Sequence, residues 1–299
     1  MCGIVGYVGG RQAIPVLLNT LKRLEYRGYD SAGLAIINDD VIALKKQAGK
    51  VSALTDALAN SWSDSSQQNA TCGIAHTRWA THGTPSTQNA HPHLDQSGKI
   101  ALVHNGIIEN YRDIQKYLED NGHKFYSETD SEILAHLIGR FYTETNDLLE
   151  ATSAALRRVE GTFGIAVVSA NHPGQLVVAR RGSPIVIGVS KDETIAASDA
   201  AAIVSFTQRV IYLNDNDVAL ITSDSVDICD LKNVPVRRET STLDWVVGSA
   251  EKEGFQHFML KEIYEQPEAL RNTQRGRLDV ENGTAVLSGL NLSPTKSPI

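Results

Sequence analysis

Met1-Cys2-Gly3-Ile4-Val5-Gly6 opens the chain, and the reading of these residues organises the rest. Ile4, Val5 and Val8 read as a first β-strand with Cys2 at its head. Removing Met1 would leave Cys2 with a thiol and a free α-amine, whose ordinary pKa of about 8 suits it as a base near neutrality. A nucleophile activated by its own terminal amine needs no histidine base. The plainer alternative makes Cys2 a small apolar residue at the start of a buried strand.

Outward from this strand, Arg11 to Tyr26 reads as an amphipathic helix, with Ile14, Leu17, Leu18, Leu21 and Leu24 on one face and Pro15 in its first turns. Leu34–Ile37 and Val41–Leu44 form a hairpin across Asn38-Asp39-Asp40. Cys72–His76 is a further strand, and Ile100–His104 another that ends at Asn105-Gly106. Helices are predicted over Tyr111–Asn121, Asp130–Tyr142 and Asp147–Val159. From Gly164 the texture changes to short β runs: Ile165–Ser169, Leu176–Ala179, Ile185–Val189, Thr194–Ala197, Val210–Leu213, Val218–Thr222 and Val226–Cys229. Early strands, clustered helices and a strand-rich second half indicate an α+β layered domain with largely antiparallel sheets. The strand pattern stops near residue 240. Beyond it, a helix through Pro267–Arg277 precedes a Gly-, Ser-, Asn- and Pro-rich tail, as if a second domain had been cut or continued by flexible sequence.

Composition narrows the function classes. Among 299 residues, 41% are hydrophobic and 21% charged, a globular profile. A net charge of −7 leaves no basic excess to neutralise phosphates, so nucleic acid is not an expected partner. Cys2, Cys72 and Cys229 suggest neither a disulfide framework nor a Cys-x-x-Cys metal site, as expected for a reducing cytoplasm. Neither a signal peptide nor a membrane span is expected, since no basic-then-apolar opening and no apolar run of about 20 residues is present.

Attack of a thiol on a side-chain amide requires three kinds of partner. Arg78 offers a planar fork for an α-carboxylate. Asp130 can receive an α-ammonium, and the Asn105 side chain with the Gly106 N–H can stabilise an oxyanion. Each has an alternative. Arg78 could be a surface ion-pair partner, Asn-Gly is a strong turn signal, and Asp130 could be a helix N-cap. Thr129-x-x-Glu132 fits a capping box one residue earlier, which would free Asp130. Arg78, Trp79, Thr81 and His82 crowd one loop in the way binding loops do. His76, His82, His91, His93 and His104 make a metal site conceivable, but no Cys or carboxylate stands at ligand spacing and no His-Glu-x-x-His occurs.

Cys2-Gly3-Ile4-Val5-Gly6, Leu24 to Gly33 (LEYRGYDSAG), the His76–Gly83 loop, His104 to Asn110 (HNGIIEN) and Ser127-Glu128-Thr129-Asp130 together resemble the class II glutamine amidotransferases, through residue 240 or so. Lys261 to Pro267 (KEIYEQP) is similar to the segment opening the sugar-isomerase half of the hexosamine-forming members. The resemblance implies a four-layer αββα sandwich of the N-terminal-nucleophile type, two mainly antiparallel sheets lying between helix layers. Residues 1–240 would form the glutaminase domain, and 241–299 a linker and an incomplete isomerase domain. It further implies that Cys2 forms a glutamyl thioester with Asn105 and Gly106 as oxyanion hole. Arg78, Thr81, His82, Gly106 and Asp130 would hold L-glutamine, Trp79 would lie on the closing loop, and Arg27 near the nucleophile. It calls for no cofactor and no metal. Ammonia would pass to fructose 6-phosphate in a homo-oligomeric full-length enzyme, whereas this chain alone would be a glutaminase. If Met1 stays, the alternative is a non-catalytic glutamine-binding or regulatory module.

Overall fold

The computed structural model describes residues 2–38, 40–62, 66–80, 83–243 and 255–274, together with 278–279 and 284–285. The chain divides into two units between Trp245 and Val246.

The first unit holds two antiparallel sheets. One has eight strands: β1 (Gly3–Gly9), β2 (Ser31–Asn38), β3 (Val41–Ala48), β4 (Cys72–Arg78), β9 (Val186–Ser190), β10 (Glu193–Ala197), β11 (Arg209–Tyr212) and β14 (Thr240–Thr242). Their spatial order is β14-β11-β9-β10-β1-β4-β2-β3, which puts β1 well inside the sheet. The other has six: β5 (His93–Leu94), β6 (Ile100–Ile108), β7 (Gly161–Ser169), β8 (Leu176–Arg181), β12 (Asp217–Ile221) and β13 (Val226–Asp230), ordered β13-β12-β8-β7-β6-β5.

Alternation along the strands assigns every core residue a face. Ile4 and Val8 of β1, Ile74 of β4, Ala101 and Val103 of β6, Ala166 and Val168 of β7, and Leu176 and Val178 of β8 meet between the sheets. A side chain at Gly6 would begin 2.8 Å from Leu176 Cδ2, so glycine there lets β1 approach the opposite sheet. The intervening positions, Ile100, Leu102, Ile165 and Val167, face the helices α3 (Tyr111–Asp120), α4 (Asp130–Thr145) and α5 (Leu148–Leu156). On the far side, α1 (Ala13–Arg23) and α2 (Val51–Ser61) cover the eight-stranded sheet, and a short α6 (Ala200–Ile203) follows β10. The result is helix, sheet, sheet, helix: the αββα sandwich. Truncating a fully buried core side chain such as Leu176 to Ala would cost roughly 2–5 kcal/mol.

α1 buries Ile14, Leu17 and Leu21, keeps Pro15 in its first turn and ends with Lys22 and Arg23, whose charges complement the helix C-terminus. It is shorter than the periodicity predicts, because Glu25–Arg27 tightens into a 3-10 turn. In the second unit, α7 (Phe258–Gln274) carries Pro267 within it, and Leu278–Asp279 pairs with Thr284–Ala285.

Candidate active site

The strand alternation brings the candidate residues together. Positions 4, 6 and 8 of β1 point between the sheets, and Cys2 continues that series one residue ahead of the strand. His76 continues the series of Cys72 and Ile74 on β4, and Asn105 that of Ala101 and Val103 on β6. Gly3 pairs with Thr77, so Cys2 arrives beside Arg78 and Trp79.

β4 runs two residues past His76, the end expected from sequence, because it is paired on both sides, with β1 and β2. The turn after it is fixed by Asp30. Asp30 donates its N–H to the Arg78 carbonyl (3.0 Å) and accepts the Ala80 N–H on Oδ2 (2.9 Å). Gly28 lies against the same backbone, where a Cβ would fall 2.7 Å from the Arg78 carbonyl carbon. So held, Trp79 donates its N–H to Cys2 Sγ (3.2 Å), and its carbonyl accepts from the thiol (3.4 Å). Its indole is 47% exposed and meets Tyr29 edge-on at 5.6 Å.

Burial pushes the Cys2 thiol up from its ordinary value; the Trp79 N–H and the Arg78 charge oppose this without overcoming it. The Arg78 side chain is only 4% exposed and donates through Nη2 to the Gly83 carbonyl (3.4 Å). Burial lowers its pKa, while the charges of Cys2, Asp30, Asp130 and Glu128 favour its protonated form.

Asn105-Gly106 is not the turn its dipeptide suggests. Both residues lie inside β6, opposite Gly164 and Phe163 of β7, and the strand continues to Ile108. Gly106 does have a turn-like φ of +138°, and a Cβ there would fall 2.1 Å from the Thr162 carbonyl oxygen. The glycine signal therefore marks a close backbone approach within the ladder rather than a chain reversal. Asn105 Nδ2 donates to the Cys2 carbonyl (3.0 Å), and its Oδ1 meets His76 Nε2 (2.9 Å).

Asp130 is the first residue of α4 and not its cap. Thr129 caps, its hydroxyl accepting the Glu132 N–H (3.3 Å). The reciprocal half of the capping box is displaced, since the Glu132 carboxylate receives the N–H groups of Tyr126 and Ser127. Asp130 instead accepts the Ile108 N–H on Oδ2 (3.0 Å) and the Ser131 hydroxyl on Oδ1 (3.3 Å). A carboxylate has about four lone-pair sites, so acceptor capacity remains.

Cys2, Arg27, Arg78, Trp79, Asn105, Gly106 and Asp130 all line one cavity of about 320 Å³. Arg27 is anchored by Asp199 (2.9 Å) and the Ser198 carbonyl (3.3 Å), and the Ser198 hydroxyl accepts the Ile4 N–H (3.0 Å). Thr81 and His82 lie outside the described residues. His104, considered from sequence only as a possible metal ligand, also lines the cavity, as do Thr162, Ser183 and Pro184, which were not candidates from sequence. The last three come from β7 and the β8–β9 connection, and reach the site only through pairing of β7 with β6 and β8.

The histidines form a buried array. His76 and His91 stack at 4.2 Å, and His91 meets His93 edge-on at 4.8 Å. His91 Nδ1 accepts the His104 N–H (3.2 Å), His93 Nε2 meets Thr129 Oγ1 (3.0 Å), and His104 Nδ1 meets Ser131 Oγ (2.9 Å). Burial drives His76 down to about 3 and holds His91 and His93 well below the imidazole range, so these rings are neutral. Among the described residues no group of His, Cys, Asp and Glu is arranged to hold a metal ion.

Comparison with known proteins adds the family. A glutamine amidotransferase domain matches residues 76–205. A glutamine–fructose-6-phosphate aminotransferase (isomerizing) of Chlorobaculum tepidum is 53% identical over 97% of this chain and 47% of its own length. The enzymes of that name from Thermus thermophilus and Aquifex aeolicus are 50% and 47% identical, over 98% and 94% of this chain. The chain spans about half the length of these curated relatives. A solved structure of the glutamine phosphoribosylpyrophosphate amidotransferase of B. subtilis covers 77% of this chain and 49% of its own, with a TM-score of 0.62 and 23% identity, a likeness of fold. Residues 76–205 thus form a glutamine amidotransferase domain, the αββα fold is shared with a solved amidotransferase, and the chain is similar along almost its whole length to about half of the glutamine–fructose-6-phosphate aminotransferases.

Proposed function

We propose that this chain hydrolyses L-glutamine to glutamate and ammonia through Cys2, once Met1 has been removed. The observation that carries the reading is the convergence of Cys2 Sγ, Arg78, Asn105, Gly106 and Asp130 on one cavity. Arg78 takes the α-carboxylate and Asp130 the α-ammonium, placing the side-chain amide at Cys2. The thiol proton moves to the Cys2 α-amine as sulfur attacks the amide carbon. Asn105 Nδ2 and the Gly106 N–H receive the developing oxyanion. The tetrahedral intermediate collapses with cleavage of the C–N bond, the amine returning the proton to the departing ammonia. Water then attacks the γ-glutamyl thioester, the C–S bond breaks, and glutamate and the thiol are released. The chemistry calls for no cofactor and no metal. Arg27 fixes the strand that carries Cys2, and Trp79 belongs to the loop that closes over the substrate. Thr81 and His82 complete the glutamine contacts in the same reading.

In a protein of the relatives' full length the ammonia would pass to fructose 6-phosphate, giving glucosamine 6-phosphate in a cytoplasmic homo-oligomer. Residues 241–299 would then lead into the sugar-isomerase domain. Among the described residues no helix is long and apolar enough to cross a membrane.

The test is to incubate the protein with glutamine, with and without fructose 6-phosphate, and to measure glutamate, ammonia and glucosamine 6-phosphate. Glutamate and ammonia in equal amounts are expected from this chain, with no aminosugar and no turnover by Cys2→Ala. Hydrolysis that survives Cys2→Ala overturns the mechanism. Intact Met1 in mass spectrometry, with glutamine bound and not hydrolysed, supports a regulatory module instead.

A further inference from the structure

We propose that His76 is a positioning residue: its Nε2–H fixes the Asn105 carboxamide in the orientation that aims a donor at the oxyanion. The inference rests on the glutaminase reading and concerns a side chain that reading leaves without a role.

His76 Nε2 lies 2.9 Å from Asn105 Oδ1, and Asn105 Nδ2 lies 3.0 Å from the Cys2 carbonyl oxygen. A carbonyl oxygen only accepts, so the Cys2 contact assigns the NH₂ end of the carboxamide to that side and its oxygen to His76. The imidazole must therefore carry its hydrogen on Nε2. One Nδ2 hydrogen goes to Cys2, which leaves the second as the donor available to the cavity that Asn105 lines. Turning the amide over would set oxygen against oxygen at Cys2 and present an acceptor to the cavity. The His76 Nε2–H opposes that flip, because an N–H facing an NH₂ group has no acceptor.

The ring is itself held. It is 1% exposed and stacked on His91 at an interplanar angle of 15°, and His91 is tied to the β6 backbone at His104. Being neutral, His76 brings no full charge beside the nucleophile. It touches neither the sulfur nor the cavity, which separates positioning from catalysis.

Asn105 acts on the oxyanion, which exists only beyond the ground state, so loss of its orientation is expected in kcat and not in KM. Loss of one oxyanion donor typically lowers kcat by about 10²–10³-fold, so loosening it should cost about tenfold. Histidine Nε2 and glutamine Nε2 reach a similar distance from the backbone, whereas an asparagine nitrogen falls short. The experiment compares His76→Gln, His76→Asn and His76→Leu in the glutaminase assay, with Asn105→Ala and the double variant His76→Asn/Asn105→Ala. We expect His76→Gln to stay within about threefold of wild type. His76→Asn and His76→Leu should lose about tenfold in kcat at unchanged KM. The double variant should be no slower than Asn105→Ala alone, since His76 acts through Asn105. Equal activity of the Gln and Asn variants overturns the proposal, as does an additive loss in the double variant. The Gln/Asn pair keeps polarity similar, so the test stands even where His76→Leu does not fold. Glutamine hydrolysis by Cys2→Ala would instead sink the glutaminase reading, and can be told apart from a failure confined to His76.

Discussion

Acidification should destabilise this fold through its buried histidines. Burial holds His76 down to about 3 and His91 and His93 well below the ordinary imidazole value. In the unfolded chain the same rings take up protons around pH 6.5. Between these limits the unfolded state binds more protons than the native state, so stability falls as pH falls through the unfolded pKa. From about pH 7 to about pH 5.5 each ring contributes a loss of about 1.3 kcal/mol, hence about 4 kcal/mol for three, a large share of the usual 5–15 kcal/mol. That interval lies above the ordinary carboxylate range, so the imidazoles dominate it. The burial of His123 and His136 lowers their values and adds in the same direction. Urea denaturation at the two pH values reads the effect directly. With a slope of roughly 3 kcal/mol per M, the midpoint should drop by more than about 1 M. His93→Gln keeps a polar group near Thr129 Oγ1 while deleting one titrating ring, and should remove about one quarter to one third of the pH-dependent loss whatever it does to overall stability. Coincident midpoints at the two pH values, or an undiminished pH effect in His93→Gln, would refute the reasoning.

Three further outcomes follow from particular contacts. Gly106→Ala places a Cβ 2.1 Å from the Thr162 carbonyl oxygen at a φ of +138°. It should cost at least roughly 2 kcal/mol in a denaturant melt, with glutaminase activity falling alongside, and a loss below about 0.5 kcal/mol would contradict the geometry. Arg78→Lys retains the charge but loses the planar fork; KM for glutamine should rise about tenfold or more, with a smaller change in kcat, measured by steady-state kinetics. Lys46, lowered to about 8 chiefly by burial, donates to the Gln88 carbonyl (2.9 Å) and lines a cavity of about 450 Å³. Peptide mapping after brief acylation near pH 8 should find Lys46 among the first lysines modified, and late modification would contradict that environment.

Most of the second half was legible because its strands are buried on alternate faces by different partners. β8, β10 and β12 coincide closely with apolar runs that sheet and helix layers cover on opposite sides, while β7 starts four residues before its run. α2 was not anticipated: only Val51, Leu54 and Leu58 are buried, too narrow a stripe to stand out, and Lys50 makes no side-chain cap. Asn105-Gly106 misled for a physical reason, since the left-handed φ that signals a hairpin is used here inside a ladder. Seven candidates carried by motifs line one cavity; Thr162, Ser183 and Pro184 line it too but carry no motif, because their approach depends on sheet pairing that no local pattern encodes. His76 counted in the sequence only as a possible metal ligand. Its burial and its partner Asn105 make it a neutral hydrogen-bond donor instead.

The thiol environment bears on which group acts as base. Burial raises Cys2, so near neutrality the sulfur carries its proton and requires a partner to remove it. The hydrogen-bond partners of Sγ among the described residues are the Trp79 N–H and carbonyl, and neither is a base at neutral pH. His76 and His91 do not fill the role, since burial holds both well below the imidazole range and neither bonds Sγ. His76 directs Nε2 to Asn105, and His91 directs Nδ1 to the His104 N–H. Arg78 stays cationic and favours the thiolate only by its charge. An amine on Cys2 itself would satisfy the requirement with a pKa of about 8 and a position fixed by covalent geometry. Asn105 donates to the carbonyl of the same residue, so the base and the nucleophile would sit on one residue with the oxyanion donor hydrogen-bonded to it from β6. In the proposed mechanism, the surroundings of Cys2 therefore suit a residue whose own amine is free.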